Sequence, residues 1–198
     1  MAEHPSNHAS SGGLAEDRAL LRAMHAGDER AARELWSRFA GRLRVYARSL
    51  SVDADADDLV QGVFLEVLRL RRSRIRAVKD PAAWLCTLTR NAAMNDRRSH
   101  RRRCQREASA GMPADRTRTA SDHDDASLVL ERVPQPLREA VVLRHAYGFT
   151  LERLADALGV SRSTAADRYS RGLALARELA AEPVHPPARL PEEPSHAP

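Results

Sequence analysis

Three sets of residues in this chain have types and spacings that could do chemistry, and all three suit recognition without covalent change. The first is arginine, gathered into two runs: Arg69, Arg71, Arg72, Arg74 and Arg76, then Arg97, Arg98, Arg101, Arg102, Arg103 and Arg106. A guanidinium fork matches phosphate, and each phosphate neutralised releases a counterion. Lys79 is the only lysine. A bias toward arginine explains which cation is used but not why the cations cluster, so the clustering favours nucleic acid over a merely solvated helix face. The second set is the amides Asn91 and Asn95, just ahead of the second run. An amide offers a base edge both a donor and an acceptor; the plainer use is a bond to backbone or water. The third is Asp58 with Gln61, one helical turn apart and on one face. Asp58 equally suits a first-turn acid that complements a helix dipole.

Other chemistries find no residues. No Gly-rich phosphate loop, no carboxylate pair with a histidine base and no metal-ligand spacing occurs, and the eight histidines are scattered. The expectation is a protein without catalytic residues, metal or cofactor. Cys86 and Cys104 stand 18 residues apart on one expected helix, about 27 Å by the helical rise, too far for a disulfide. They read as thiols of a reducing compartment. No apolar run approaches a membrane span and the first residues resemble no signal peptide, so a cytoplasmic chain with no membrane insertion is expected.

The elements that must position these residues are all helical. Residues 1–13 are small and polar and read as a disordered tail. Residues 16–26 carry Leu20, Leu21 and Met24; after Gly27, Asp28 caps a second helix with Ala32, Leu35, Trp36, Phe39, Leu43, Tyr46 and Leu50 at spacings of three and four. Residues 51–57 form an acidic connection, and a third helix runs to about Leu70 with Leu59, Val63, Val67 and Leu70 inward. Residues 71–79 show no apolar period and read as a basic loop. Asp80 and Pro81 restart a helix as N-cap and first position; Trp84, Leu85, Leu88 and Ala92 share its inner face, and it ends near Arg106.

Residues 108–126 are rich in Ser, Thr and Asp with Gly111 and Pro113, a composition that reads as a flexible linker. Residues 127–182 then hold a helix-turn-helix. Pro136 opens one helix at its first position, Thr150 and Ser161 cap the next two, and Gly159 makes the turn between them. Leu151, Leu154, Ala155 and Leu158 face inward on the middle helix, and Ala165, Tyr169, Leu173 and Ala176 on the last. Such a crossing lays the last helix in a DNA major groove. Residues 183–198 are a Pro-rich tail that reads as disordered. The fold class expected is all-α: two small helical domains, residues 14–107 and 127–182, joined by the linker.

Together these motifs resemble the extracytoplasmic-function (group 4) sigma factors of bacterial RNA polymerase, within the sigma-70 family. The resemblance is carried by Asp57-Asp58-Leu59-Val60-Gln61-Gly62-Val63-Phe64, by Trp84-Leu85 and Arg90-Asn91 at the family spacing, and by Leu143-Arg144, Gly148, Leu154-Ala155, Leu158-Gly159-Val160-Ser161 and Thr164 after the linker. A helix-turn-helix alone is shared by many regulators; both halves in this order are far more specific.

The resemblance implies roles. The first domain is expected to bind core RNA polymerase through Asp58 and Gln61 and to open the −10 element, with Asn91 at a pocket for a base flipped from the non-template strand and Asn95, Arg97, Arg98, Arg101 and Arg102 along the DNA. The second is expected to read the −35 element through Arg162, Ser163, Asp167, Arg168, Ser170 and Arg171. Promoter DNA, core polymerase and an anti-sigma factor are the implied partners. Three residues depart from the family pattern: Gly62 stands where Glu is usual, Ala166 where a basic residue is common and Asp167 where Ser is common. The competing readings are a helix-turn-helix regulator that acts on duplex DNA without polymerase, which has no use for the Asp58–Phe64 segment, and an interaction module whose basic helices bind RNA or an acidic protein.

Overall fold

The computed structural model describes residues 11–50, 55–109 and 125–181. Every regular element among them is a helix: α1 Ser11–His25, α2 Glu29–Ser49, α3 Ala56–Arg69, α4 Arg72–Ala77, α5 Pro81–Ser109, α6 Asp125–Arg132, α7 Gln135–Tyr147, α8 Leu151–Leu158 and α9 Arg162–Ala181. The starts follow local chemistry. Asp28 accepts from the N–H groups of Arg30 and Ala31 at 2.9 and 3.0 Å. Asp80 accepts from Ala83 N–H at 3.1 Å, Thr150 from Arg153 N–H at 3.3 Å and Ser161 from Thr164 N–H at 3.2 Å. Each cap satisfies a first-turn donor that has no partner inside the helix. Gly148 and Gly159 end α7 and α8 with φ of 61° and 65°, a left-handed conformation that a β-carbon disfavours.

Several boundaries differ from the sequence reading. Residues 71–79 are not a loop throughout, because α4 occupies most of them. Its one large apolar residue, Ile75, 1 % exposed, and Val78 three residues on are drawn into the core, and four exposed arginines surround them. One anchor is too weak a period to announce a helix. The first helix begins at Ser11, ahead of the expected Glu16, and Pro136 sits at the second rather than the first position of α7. Residues 11–13 of the expected 1–13 tail, and residues 108–109 and 125–126 of the expected 108–126 linker, are helical instead, as the ends of α1, α5 and α6. The rest of that tail and of the linker, part of the acidic connection (51–54) and the expected 183–198 tail lie outside the described residues.

In the first half, α2 is the central rod. Its Leu35, Phe39, Leu43 and Tyr46 are buried against Leu21 and Met24 of α1, Val60, Val63 and Val67 of α3, and Leu85 and Cys86 of α5. In the second half Leu143, Leu154, Leu158 and Ala165 close the core between α7, α8 and α9. Tyr169, Leu173 and Ala176, expected on the inner face of α9, are only half-buried, and Gly172 takes the closest approach instead. A β-carbon at Gly172 meets the Leu137 carbonyl oxygen at 2.8 Å and Val141 Cγ2 at 2.9 Å. Backbone cannot yield as a side chain does, so Gly172→Ala is expected to push α9 off α7 and cost about 1–3 kcal/mol in denaturant unfolding. Gly62 has nothing within 4 Å, so Gly62→Ala should instead gain about 0.5–1 kcal/mol.

Candidate nucleic-acid interface

On α5, Asn91, Asn95, Arg98 and Arg102 recur at steps of four, three and four, and all four are exposed. At 100° per residue they fall within a sector of about 60°, some 17 Å long. Buried Ala93 lies opposite. This face therefore presents two amides and two guanidiniums in a row to solvent. Arg97 and Arg101 are also exposed but lie about 100° around the helix, beside Arg90. The arginines of the 71–76 run are exposed around Ile75. That segment is pinned to α1 where Arg22 donates to the Arg76 carbonyl at 3.4 Å and the His25 ring lies 2.7 Å from the Leu70 carbonyl.

On α3, Asp58 and Gln61 are exposed on one face. Their neighbours are already used: Asp55 caps the helix and Asp57 pairs with Arg44. Leu65 and Leu68 continue the face of Gln61 at four and seven residues and are 48 % and 49 % exposed. The sequence reading missed them. Their signal is an apolar pair in phase with the polar pair rather than with Leu59, Val63 and Val67. A mixed polar and apolar face is what a protein-protein contact needs.

On α9, Arg162, Ser163, Asp167, Ser170 and Arg171 are exposed and Arg168 is half-buried. Two of the arginines are held by acids: Arg162 by Glu152 at 2.6 Å and Arg171 by Asp167 at 3.3 Å. Asp167 thus orients Arg171 along the helix as well as facing outward. The Ser163 hydroxyl lies 3.0 Å from that of Ser161. Glu152 is held below the usual carboxylate range by its own backbone N–H first, then by the Thr150 hydroxyl, with Arg162 adding to both.

The two halves meet along α2 and α5. Arg153 of α8 grips Asp80 with two bonds, 2.6 and 2.9 Å. Glu139 of α7, only 2 % exposed, receives Arg90 at 2.9 Å on one oxygen and Gln135 at 2.8 Å on the other. Gln135 also accepts from Arg97. Burial raises the Tyr46 and Tyr147 hydroxyls and the Cys86 thiol above their ordinary pKa values. No group of His, Cys, Asp and Glu among the described residues could hold a metal, and no described helix is long and apolar enough to cross a membrane.

The chain carries an exposed amide-arginine face in one half and a helix-turn-helix with α9 outward in the other, an arrangement suited to DNA. Known proteins agree on its class. Residues 35–103 match sigma-70 region 2 and residues 124–175 match sigma-70 region 4. The chain is 34 % identical over 163 residues to the RNA polymerase sigma factor CarQ of Myxococcus xanthus, covering 79 % of this chain and 92 % of the relative. It is 34 % identical over 135 residues to the ECF RNA polymerase sigma factor EcfG of Rhodopseudomonas palustris strain TIE-1, covering 65 % and 74 %. Among solved structures it superposes on the sigma factor RpoE, crystallised with the anti-sigma factor NepR, from Bartonella quintana, with a TM-score of 0.61 and 27 % identity over 75 % of this chain and 95 % of that one. It shares the fold of CnrH, solved with the cytosolic domain of CnrY, with a TM-score of 0.56 and 24 % identity over 83 % and 96 %.

The chain belongs to the extracytoplasmic-function sigma factors of the sigma-70 family. It is an RNA polymerase sigma factor: it binds core polymerase and directs transcription initiation at promoters through its −10 and −35 elements. The regulator that acts without polymerase is the less favoured reading.

Proposed function

We propose that this factor, of the group 4 type, opens promoters with the exposed α5 face and carries no catalytic residues or cofactor of its own. Asn91 takes the unpaired base, Asn95 follows along the strand, and Arg98 and Arg102 hold phosphates. Arg97 and Arg101, on the neighbouring face, reach the flanking backbone. The domains are those of the sequence reading, residues 14–107 and 127–182. Asp58 and Gln61, with Leu65 and Leu68, dock the first on core polymerase. Arg162, Ser163, Asp167, Arg168, Ser170 and Arg171 read the −35 element from α9. The observation that carries this reading is the alignment of Asn91, Asn95, Arg98 and Arg102 on one exposed face. An anti-sigma factor as a further partner is supported by the NepR complex of the RpoE relative. The site of action is the cytoplasm, where polymerase is.

The test separates a base contact from a phosphate contact. Asn91→Ala is expected to leave core and duplex binding nearly intact and to reduce strand opening, with about 1–3 kcal/mol of base discrimination lost. Arg102→Ala is expected to weaken binding at every sequence and lower the salt slope by about one. Permanganate footprinting of the −10 region reads the first and salt titration the second. Parental opening by Asn91→Ala removes that residue from the role.

A further inference from the structure

Helix α9 carries one charged residue on the ridge that points furthest from its own domain. Ala165 and Gly172 are its buried positions and fix its inward direction. At 100° per residue, Ser163, Asp167 and Ser170 lie within about 30° of the opposite direction, and all three are exposed. Arg171 and Arg162 stand about 70° and 110° from that direction, on opposite sides of the ridge. In its first three turns the tip of the helix is therefore two hydroxyls and a carboxylate, with guanidiniums on the flanks. Such flanks suit the phosphate walls of a groove. The tip suits its floor, since the N-terminal turns of a recognition helix face base edges.

A carboxylate on that tip is selective because it accepts hydrogen bonds and cannot donate them. In the major groove guanine offers N7 and O6 and thymine offers O4, all of them acceptors; adenine sets its N6 donor beside the N7 acceptor. Cytosine presents its N4 amino group with no acceptor on the same edge. Against the other bases the carboxylate gives up water and meets a lone pair, and an unmet charged group is the costliest kind to leave. The local contacts leave Asp167 able to reach a base. One of its oxygens lies 3.3 Å from Arg171, and the other meets no donor among the described residues. The Asp167 and Arg171 side chains are 57 % and 68 % exposed, so the pair is weak and steadies the carboxylate without consuming it. Beside it, half-buried Ala166 has only a methyl group and does not contend for the same base pair.

We propose that Asp167 sets the sequence preference of the −35 contact by selecting a cytosine: its carboxylate accepts from the N4 amino group of the base it faces. This rests on the reading of α9 as the −35 surface. Selection works by penalty as well as by gain, since every other base leaves the carboxylate unpaired. Arg171, about 6 Å further along the helix, holds the carboxylate in place and offsets its charge against the phosphates.

The experiment uses the full chain with core polymerase. Fully randomised DNA duplexes retained by the complex are sequenced, which gives the −35 bases selected by the wild type, by Asp167→Ala and by a variant with Ser163, Asp167 and Ser170 all changed to Ala. Affinity is then measured on the duplex the wild type selects. It is measured again with the selected cytosine replaced by 2-pyrimidinone, which lacks the 4-amino group and leaves the guanine opposite in place. The wild type is expected to select cytosine at one −35 position and to bind the analogue about tenfold more weakly, the low end of a base-edge contact. Asp167→Ala is expected to accept all four bases there and to bind the two duplexes alike. Asp167 is exposed and its ion pair is with Arg171 alone, so the helix survives its removal, which circular dichroism checks. A wild type that selects no such cytosine, or an Asp167→Ala variant that selects it as strongly, overturns the proposal. An equal loss on the analogue by both proteins also overturns it, because Asp167 then acts only by positioning Arg171. If the triple variant still selects the parental −35 bases, α9 is not the reader, and the −35 assignment falls along with the proposal. If the triple variant alone loses them, the assignment stands and only the role of Asp167 falls.

Discussion

Asp58→Arg combined with Gln61→Ala is expected to cost about 3 kcal/mol in binding to core polymerase, roughly a hundredfold in Kd. The size follows from position. Both residues are exposed on one face of α3, and neither helps to build the fold. Asp55 serves as the cap and Asp57 is engaged by Arg44, so Asp58 is the carboxylate of this turn left to face a partner. In the proposed contact, reversing it sets a cation where the partner would meet a carboxylate, and a like-charge juxtaposition costs several kcal/mol. Leu65→Ser with Leu68→Ser should weaken binding on the same face through lost apolar area. Fluorescence anisotropy against core polymerase reads both, with circular dichroism to establish that the helices persist. A folded Asp58/Gln61 variant that binds core as tightly as the parent removes α3 from the contact.

Most of the helices were legible because their signals are local. A cap depends on one side chain and three following N–H groups, and Asp28, Asp80, Thr150 and Ser161 each act where the sequence places them. The stripe of α2 was legible because it repeats through Leu35, Phe39, Leu43 and Tyr46, all buried. Helix α4 was not, since it has one deeply buried anchor in six residues and its arginines outweigh it. Leu65 and Leu68 escaped because two apolar residues out of phase with the core stripe of Leu59, Val63 and Val67 carry no mark of their exposure until the covered face is known. The contact between the halves was illegible for a different reason. Arg90 meets Glu139 across 49 residues and Arg153 meets Asp80 across 73, and no period within a helix encodes a partner on another one. Asp80 was read only as a cap, which it is, and the same carboxylate also receives the Arg153 fork.

Phe149→Ala is expected to be the most damaging single change in the second domain, costing about 3–5 kcal/mol. Phe149 sits in the short turn between α7 and α8 and is completely buried. Its ring lies 5.2 Å from that of Tyr147 and 4.6 Å below the Arg153 guanidinium, and its carbonyl accepts from Arg144. Removing the ring leaves a void at the point where the helix-turn-helix, the Arg153 fork and the first domain meet. Native proteins hold only about 5–15 kcal/mol in reserve, and a part of a chain holds less, so the second domain should unfold well before the first. The tryptophans allow the two to be followed separately, since Trp36 and Trp84 both belong to the first half. Tryptophan emission should keep its parental transition while helix content falls in an earlier step and binding to a −35 duplex disappears. Phe149→Leu retains most of the apolar volume and should cost about 1 kcal/mol with duplex binding preserved. If Phe149→Ala instead unfolds both halves in one transition, the two halves behave as one cooperative unit. A parental melting curve with intact duplex binding removes Phe149 from the core of the second domain.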